Sequence, residues 1–152
     1  MGNNVVQFVL MTLVLVTGAA AEELLPKVMG VGFPVLLTAV QFFATRCNLP
    51  AVLAFAFAAG AMEDALCSLP TITSIGYFLC VAVAVRWTGL SAAVTAVTYP
   101  VYQVWLSVWM IGFGGSVYTR ILLSVPFGVV TAFAVGGVLA WASRKAAVGE
   151  QG

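Results

Sequence analysis

Apolar residues run through this chain in long blocks, and charged residues, prolines and glycine clusters fall mostly between the blocks. A hydrocarbon core about 30 Å thick is crossed by around 20 helical residues, with a working range of about 17 to 25. Blocks of that length predict membrane-spanning helices, and the breaks divide the chain into about six, over 4–21, 28–45, 50–66, 71–85, 90–111 and 119–142. Glu22, Glu23, Pro26 and Lys27 make the first connection. Arg46 followed by Asn48-Leu49-Pro50 makes the second, since proline suits a first helical turn better than an interior. Ser68-Leu69-Pro70 reverses the chain again, with Thr71, Thr73 and Ser74 placed to cap the next helix through their hydroxyls. Arg86, Thr88 and Gly89 close the fourth span, Gly112-Phe113-Gly114-Gly115-Ser116 forms a loop after the fifth, and Arg144-Lys145 ends the sixth. Within the fifth, Pro100 removes a backbone donor and predicts a kink unless a neighbour or the Thr98 hydroxyl compensates. The expected fold is all-α, with residues 1–152 forming one integral membrane domain of about six transmembrane helices.

Composition strengthens the membrane reading and removes several functions. Hydrophobic residues make up 62% of the 152 and charged ones 7%, against roughly 25% charged in a soluble domain. Mean hydropathy is +1.11. A net charge of +1 with no histidine leaves no basic surface for nucleic acid and no imidazole for a metal or proton relay. Cys47, Cys67 and Cys80 lie in separate segments without C-x-x-C spacing, so neither a zinc site nor a redox pair is expected, and each reads as small apolar filler. A serine hydrolase would need a base, for which only Lys27 and Lys145 are available at opposite faces. The adjacent carboxylates Glu63 and Asp64 point about 100° apart on a helix and cannot share a proton as an aspartyl dyad. No catalytic residue, cofactor or metal is predicted.

Charge also sets an expected orientation. With an even number of spans both termini lie on one side, and placing them in the cytoplasm puts Arg46, Arg86, Arg144 and Lys145 inside, with Lys27 and Arg120 outside. Trp87, Trp105, Trp109, Tyr118 and Trp141 fall mostly near span ends, where aromatic anchors sit at the interface. The stretch from Val5 to Val16 followed by Ala19-Ala20-Ala21 also fits the core and cleavage site of a secretory signal, which would leave five spans. The lack of Lys or Arg before it weighs against that.

Two features stand out as structural or partner-binding candidates. Glu63 and Asp64 end the third span, where the negative end of a helix disfavours carboxylates unless a cation or donor offsets them. Arg120, on the same predicted side, is the available cation, so a Glu63 or Asp64 pair with Arg120 is expected to lock spans three and six. The competing expectation is an early helix end with both carboxylates solvated. Gly128, Ala132, Gly136 and Ala140 recur every four residues on the sixth span, a small-residue stripe that lets two helix backbones approach, within this chain or with another protein. Ala92, Ala96 and Pro100 make a shorter stripe on the fifth.

The segment from Pro34 to Trp87 resembles the core of the rod shape-determining protein MreD family. The resemblance is carried by Gly60-Ala61-Met62-Glu63-Asp64-Ala65-Leu66, the turn Ser68-Leu69-Pro70 and Gly76-Tyr77-Phe78, about a third of the chain. It implies a multi-pass protein of the bacterial inner membrane that belongs to the cell-elongation machinery. Such a protein would associate with a MreC-like bitopic partner, the elongation-complex peptidoglycan synthases and a MreB-like filament. Asp64 matches the acidic residue the family carries at the end of this span, whereas Thr71 and Thr73 stand where glycine is common. The implied role is a non-enzymatic scaffold in membrane lipid.

Size, helix count and small-residue stripes also resemble the substrate-binding membrane component of an energy-coupling-factor vitamin transporter. That role needs convergent polar groups around a pocket, and the intramembrane supply is short beyond Gln41, Tyr77, Tyr99, Tyr102 and Gln103. A homo-oligomeric channel would need a continuous polar stripe, and none is present.

Overall fold

The apolar blocks fold as helices of very unequal length. The computed structural model describes residues 4–29, 32–69, 72–89, 94–108 and 115–149. These form α1 (Asn4–Met29), α2 (Val35–Ala44), α3 (Leu49–Leu66), α4 (Thr73–Thr88), α5 (Thr95–Leu106) and α6 (Gly115–Gly149), with no strand among the described residues. Among the described residues three stretches are long and apolar enough to cross a membrane, Val5–Val28, Leu49–Leu66 and Tyr118–Lys145, and each buries about a third or less of its most apolar window inside the molecule. Their outward faces carry large apolar side chains such as Phe8, Leu13, Leu122 and Phe133.

Several expected boundaries move. The first helix does not stop at Ala21 but runs through Glu22, Glu23 and Pro26 to Met29. An exposed ion pair one turn apart, Lys27 Nζ to Glu23 Oε1 at 2.7 Å, lies along that extension. The second span, expected over 28–45, contracts to the ten residues Val35–Ala44, about 15 Å of helix, because residues 32–34 are not helical. Leu49–Leu66 agrees with the expected third span within a residue. Gly115 and Ser116 belong to α6 rather than to the preceding loop, and Gly112 to Gly114 lie outside the described residues. Pro100 sits within α5, where the Thr98 hydroxyl donates to the Val94 carbonyl at 3.2 Å. Trp109 and Thr71 lie outside the described residues.

The core is built around the shortest helix. Every residue of α2 from Leu36 to Ala44 is buried, and α2 touches each of the other five helices. Phe43 packs edge-on against Phe42 and Phe55, closing the α2–α3 side. Gln41, fully buried, is satisfied by α5: its amide donates to the Thr98 hydroxyl and its carbonyl accepts from Thr95 Oγ1 at 2.8 Å. Burying that amide unpaired would cost several kcal/mol, so these bonds fix the rotation of α2 against α5.

The helix pairs α3–α4 and α5–α6 pack closely around this axis. At Gly60 the backbone of α4 comes so near that an added Cβ would lie 2.6 Å from Ile75 Cα. Gly128 of the α6 stripe does the same for α5, with Thr95 O at 3.0 Å and Ala96 Cα at 3.1 Å from such a Cβ. Ala132 is buried and Ala140 packs against the core cluster. Gly136 is half-buried on the same helix. Trp105 is half-buried, its indole N–H donating to the Thr73 carbonyl at 3.1 Å and its ring beside Tyr77. Trp87, Tyr118 and Trp141 are exposed.

Candidate functional site

Helix ends leave amides and carbonyls without intrahelical partners, and three charged residues, Glu22, Asp64 and Arg86, fill such positions on elements other than their own helix. The expected Asp64–Arg120 pair does not form. Asp64, 5% exposed, accepts the Ile72 amide on Oδ2 at 3.1 Å and the Ser74 amide on Oδ1 at 2.8 Å. The carboxylate at the negative end of α3 is thus compensated by the positive end of α4, and the donors come from the backbone eight and ten residues on, not from a distant cation. Asp64 supplies the cap that the Thr73 and Ser74 hydroxyls were expected to provide for those amides. The Ser74 hydroxyl is hydrogen-bonded to Tyr102 instead.

Glu22, read from sequence only as part of a connection, plays the same part for α2. Its Oε1 accepts the Leu36 amide at 2.8 Å. At the other end of α2, Arg86 Nη1 donates to the Cys47 carbonyl at 2.6 Å and the Ala44 carbonyl at 3.2 Å. The buried central helix is therefore held between an acid from α1 and a base from α4, each with the sign its dipole favours.

These caps sort charge by end. Arg46, whose Nη1 donates to Ser143 Oγ at 3.3 Å, joins Arg86, Arg144 and Lys145 where α2, α4 and α6 finish. Glu22, Glu23, Glu63 and Asp64 lie at the opposite end, with Lys27 and Arg120.

At the acidic end, where α1 to α5 converge, lies a cavity of about 180 Å³ whose wall includes Glu22, Glu63, Tyr99, Tyr102 and Gln103. A second cleft, about 420 Å³, shares Pro26, Gly32, Tyr99 and Gln103 with it and adds Arg120, Ser124 and Phe127. Polar side chains that are scattered in sequence are thus gathered around one double cleft. The Tyr99 hydroxyl donates to the Gly32 carbonyl at 3.3 Å, tying α5 to the non-helical segment 32–34. That segment itself lines the clefts, through Gly32, Phe33 and Pro34.

Glu63 borders this cavity, whereas Asp64 turns away into its cap, so neighbouring carboxylates have separate environments. Just beyond α3, burial and the adjoining Glu63 carboxylate push the Cys67 thiol up to about 12. Burial also raises Cys47, in the connection after α2. The described residues contain no cluster of three or more His, Cys, Asp or Glu able to hold a metal ion.

The fold and this site define the class only coarsely: an all-helical protein with three helices apolar and long enough to cross a membrane and a polar double cleft at one end. No protein-family model, no curated protein and no solved structure matches the chain.

Proposed function

We propose that this chain is a non-enzymatic scaffold of the bacterial cell-elongation machinery. It would cross the inner membrane several times, with both termini cytoplasmic, and present helix faces to a MreC-like bitopic partner. The observation that carries the reading is the engagement of Asp64. The segment through which the chain resembles the MreD family forms a hairpin of α3 and α4, drawn close at Gly60 and pinned by Asp64 on the Ile72 and Ser74 amides. Those contacts support an architectural role for the segment. Large apolar side chains cover the outer faces of α1 and α6, as lipid or a partner helix requires. The grouping of Arg46, Arg86, Arg144 and Lys145 at one end supports the orientation. Crosslinking and pulldown from native membrane tests the reading: recovery of a MreC-like protein with peptidoglycan synthases or a MreB-like filament is expected.

A second reading, the substrate-binding component of an energy-coupling-factor transporter, is favoured by one observation. Glu22, Glu63, Tyr99, Tyr102, Gln103 and Arg120 converge on a cleft, which supplies the polar lining that a scattered sequence pattern withheld. Recovery of nucleotide-binding transporter subunits in the same pulldown would favour this role and displace the scaffold.

A further inference from the structure

The capping role of Glu22 uses only half of its carboxylate. Oε1 takes the Leu36 amide, while Oε2 is buried and receives no N–H or hydroxyl donor among the described residues, so that only a proton shared with the Glu63 carboxyl group serves it within this chain. Glu63 lies alongside it, touched by the Cys67 thiol at a long 3.9 Å. Two carboxyl groups side by side in a low-dielectric interior repel unless positive charge or a proton comes between them. The nearby cations of this chain do not supply it: Lys27 is paired with Glu23, and Arg120 lines the adjoining cleft rather than this cavity. The rest of the wall mixes aliphatic side chains with four aromatic ones, Phe33, Phe78, Tyr99 and Tyr102, and aromatic rings favour cations.

We propose that the double cleft binds a small zwitterion, its primary ammonium held between Glu22 and Glu63 and its oxyanion directed to Arg120. A cavity of about 180 Å³ beside a cleft of about 420 Å³, with Pro26, Gly32, Tyr99 and Gln103 common to both walls, matches the size of an aminoalkyl phosphate or carboxylate. The N–H groups of a primary ammonium match two carboxylates, whereas a trimethylammonium offers none. This chemistry is available as a soluble zwitterion and as the ethanolamine headgroup of a phospholipid. The site stands apart from the scaffold reading, since it concerns a ligand and not the partner on the outer helix faces.

The test is thermal unfolding of the full chain in nonionic detergent, followed by tryptophan fluorescence. It uses dioleoylphosphatidylethanolamine, soluble phosphoethanolamine, dioleoylphosphatidylcholine and phosphocholine as probes. A saturable rise in melting temperature is expected with an ethanolamine probe and not with its choline counterpart. A rise with the lipid alone assigns the headgroup as ligand, and a rise with soluble phosphoethanolamine assigns the free zwitterion. Glu63→Gln and Arg120→Gln should each weaken binding about tenfold or more, and Glu23→Gln should leave it unchanged. Melting without ligand shows whether each variant folds, and Arg120→Gln stands as an independent variant should Glu63→Gln fail to fold. No saturable shift, equal response to choline probes, or unchanged affinity in a folded variant at Glu63 or Arg120 overturns the proposal. A failed pulldown of elongation partners would leave these outcomes untouched.

Discussion

Asp64 shows how one side chain can hold a helical hairpin together. Its two oxygens take separate backbone amides at the start of α4, so Asp64→Ala leaves the Ser74 amide unpaired in a buried position and the Ile72 amide unpaired in a partly buried one. The expected cost is about 2 to 3 kcal/mol, measured as reduced resistance to denaturant in detergent, with Asp64→Asn losing less because its carbonyl still accepts. Cys67 offers a second test at the same scale. Burial and Glu63 push its thiol up to about 12, so little thiolate exists at neutral pH. In a Cys47→Ala, Cys80→Ala background, maleimide labelling of Cys67 should be slow at pH 7.5 and climb as pH rises toward the thiol pKa. Glu63→Gln removes one of the raising causes and should speed labelling at pH 7.5. The sequence marked Asp64 as needing a donor but suggested the wrong one, because a cation is visible as a letter and a helix amide is not. Glu22 was missed for the same reason. The available signal was an acidic residue preceding a proline-marked helix start, which suits the positive end of that helix.

Among elements, the close approaches carry the sharpest expectations. Gly60→Ala would gain about 1 kcal/mol from helix propensity, but its Cβ would meet the Ile75 backbone at 2.6 Å. The helices must separate, and a net loss of about 1 to 3 kcal/mol is expected. Gly76→Ala, on the facing helix with nothing within 4 Å of its Cβ, should be neutral or stabilising by about 0.5 to 1 kcal/mol. Opposite signs in parallel unfolding curves check the pair. Arg86→Ala should cost about 1 to 3 kcal/mol by stranding the Ala44 and Cys47 carbonyls. Helix existence was legible from the apolar blocks, and the third helix even in its bounds. The lengths of α1 and α2 were not, since hydropathy reports which residues avoid water without saying whether lipid or protein surrounds them. Charged Glu22 and Glu23 read as a break, although one caps a neighbour and the other pairs with Lys27 inside a continuing helix.

Among the described residues charge is sorted by end, Glu22, Glu23, Glu63 and Asp64 with Lys27 and Arg120 at one and the Arg46, Arg86, Arg144 and Lys145 group at the other. With the basic end cytoplasmic, a C-terminal fluorescent-protein fusion should fluoresce and a C-terminal alkaline phosphatase fusion should stay inactive. The opposite pair of results would invert the orientation. The double cleft was legible only as a short inventory of polar residues, because its lining comes from all six helices and the segment 32–34 and meets through packing that no spacing encodes.

The brevity of α2 has a further consequence, for how such a protein is made. Ten residues reach about 15 Å, roughly half the hydrocarbon thickness, so the segment gains too little from lipid to be released sideways from a translocon alone. Its carbonyl-end ligand, Arg86, is synthesised some forty residues later than the helix it serves. Under the membrane reading proposed above, Val35–Ala44 is expected to shelter against α1 until α3 and α4 emerge to enclose it.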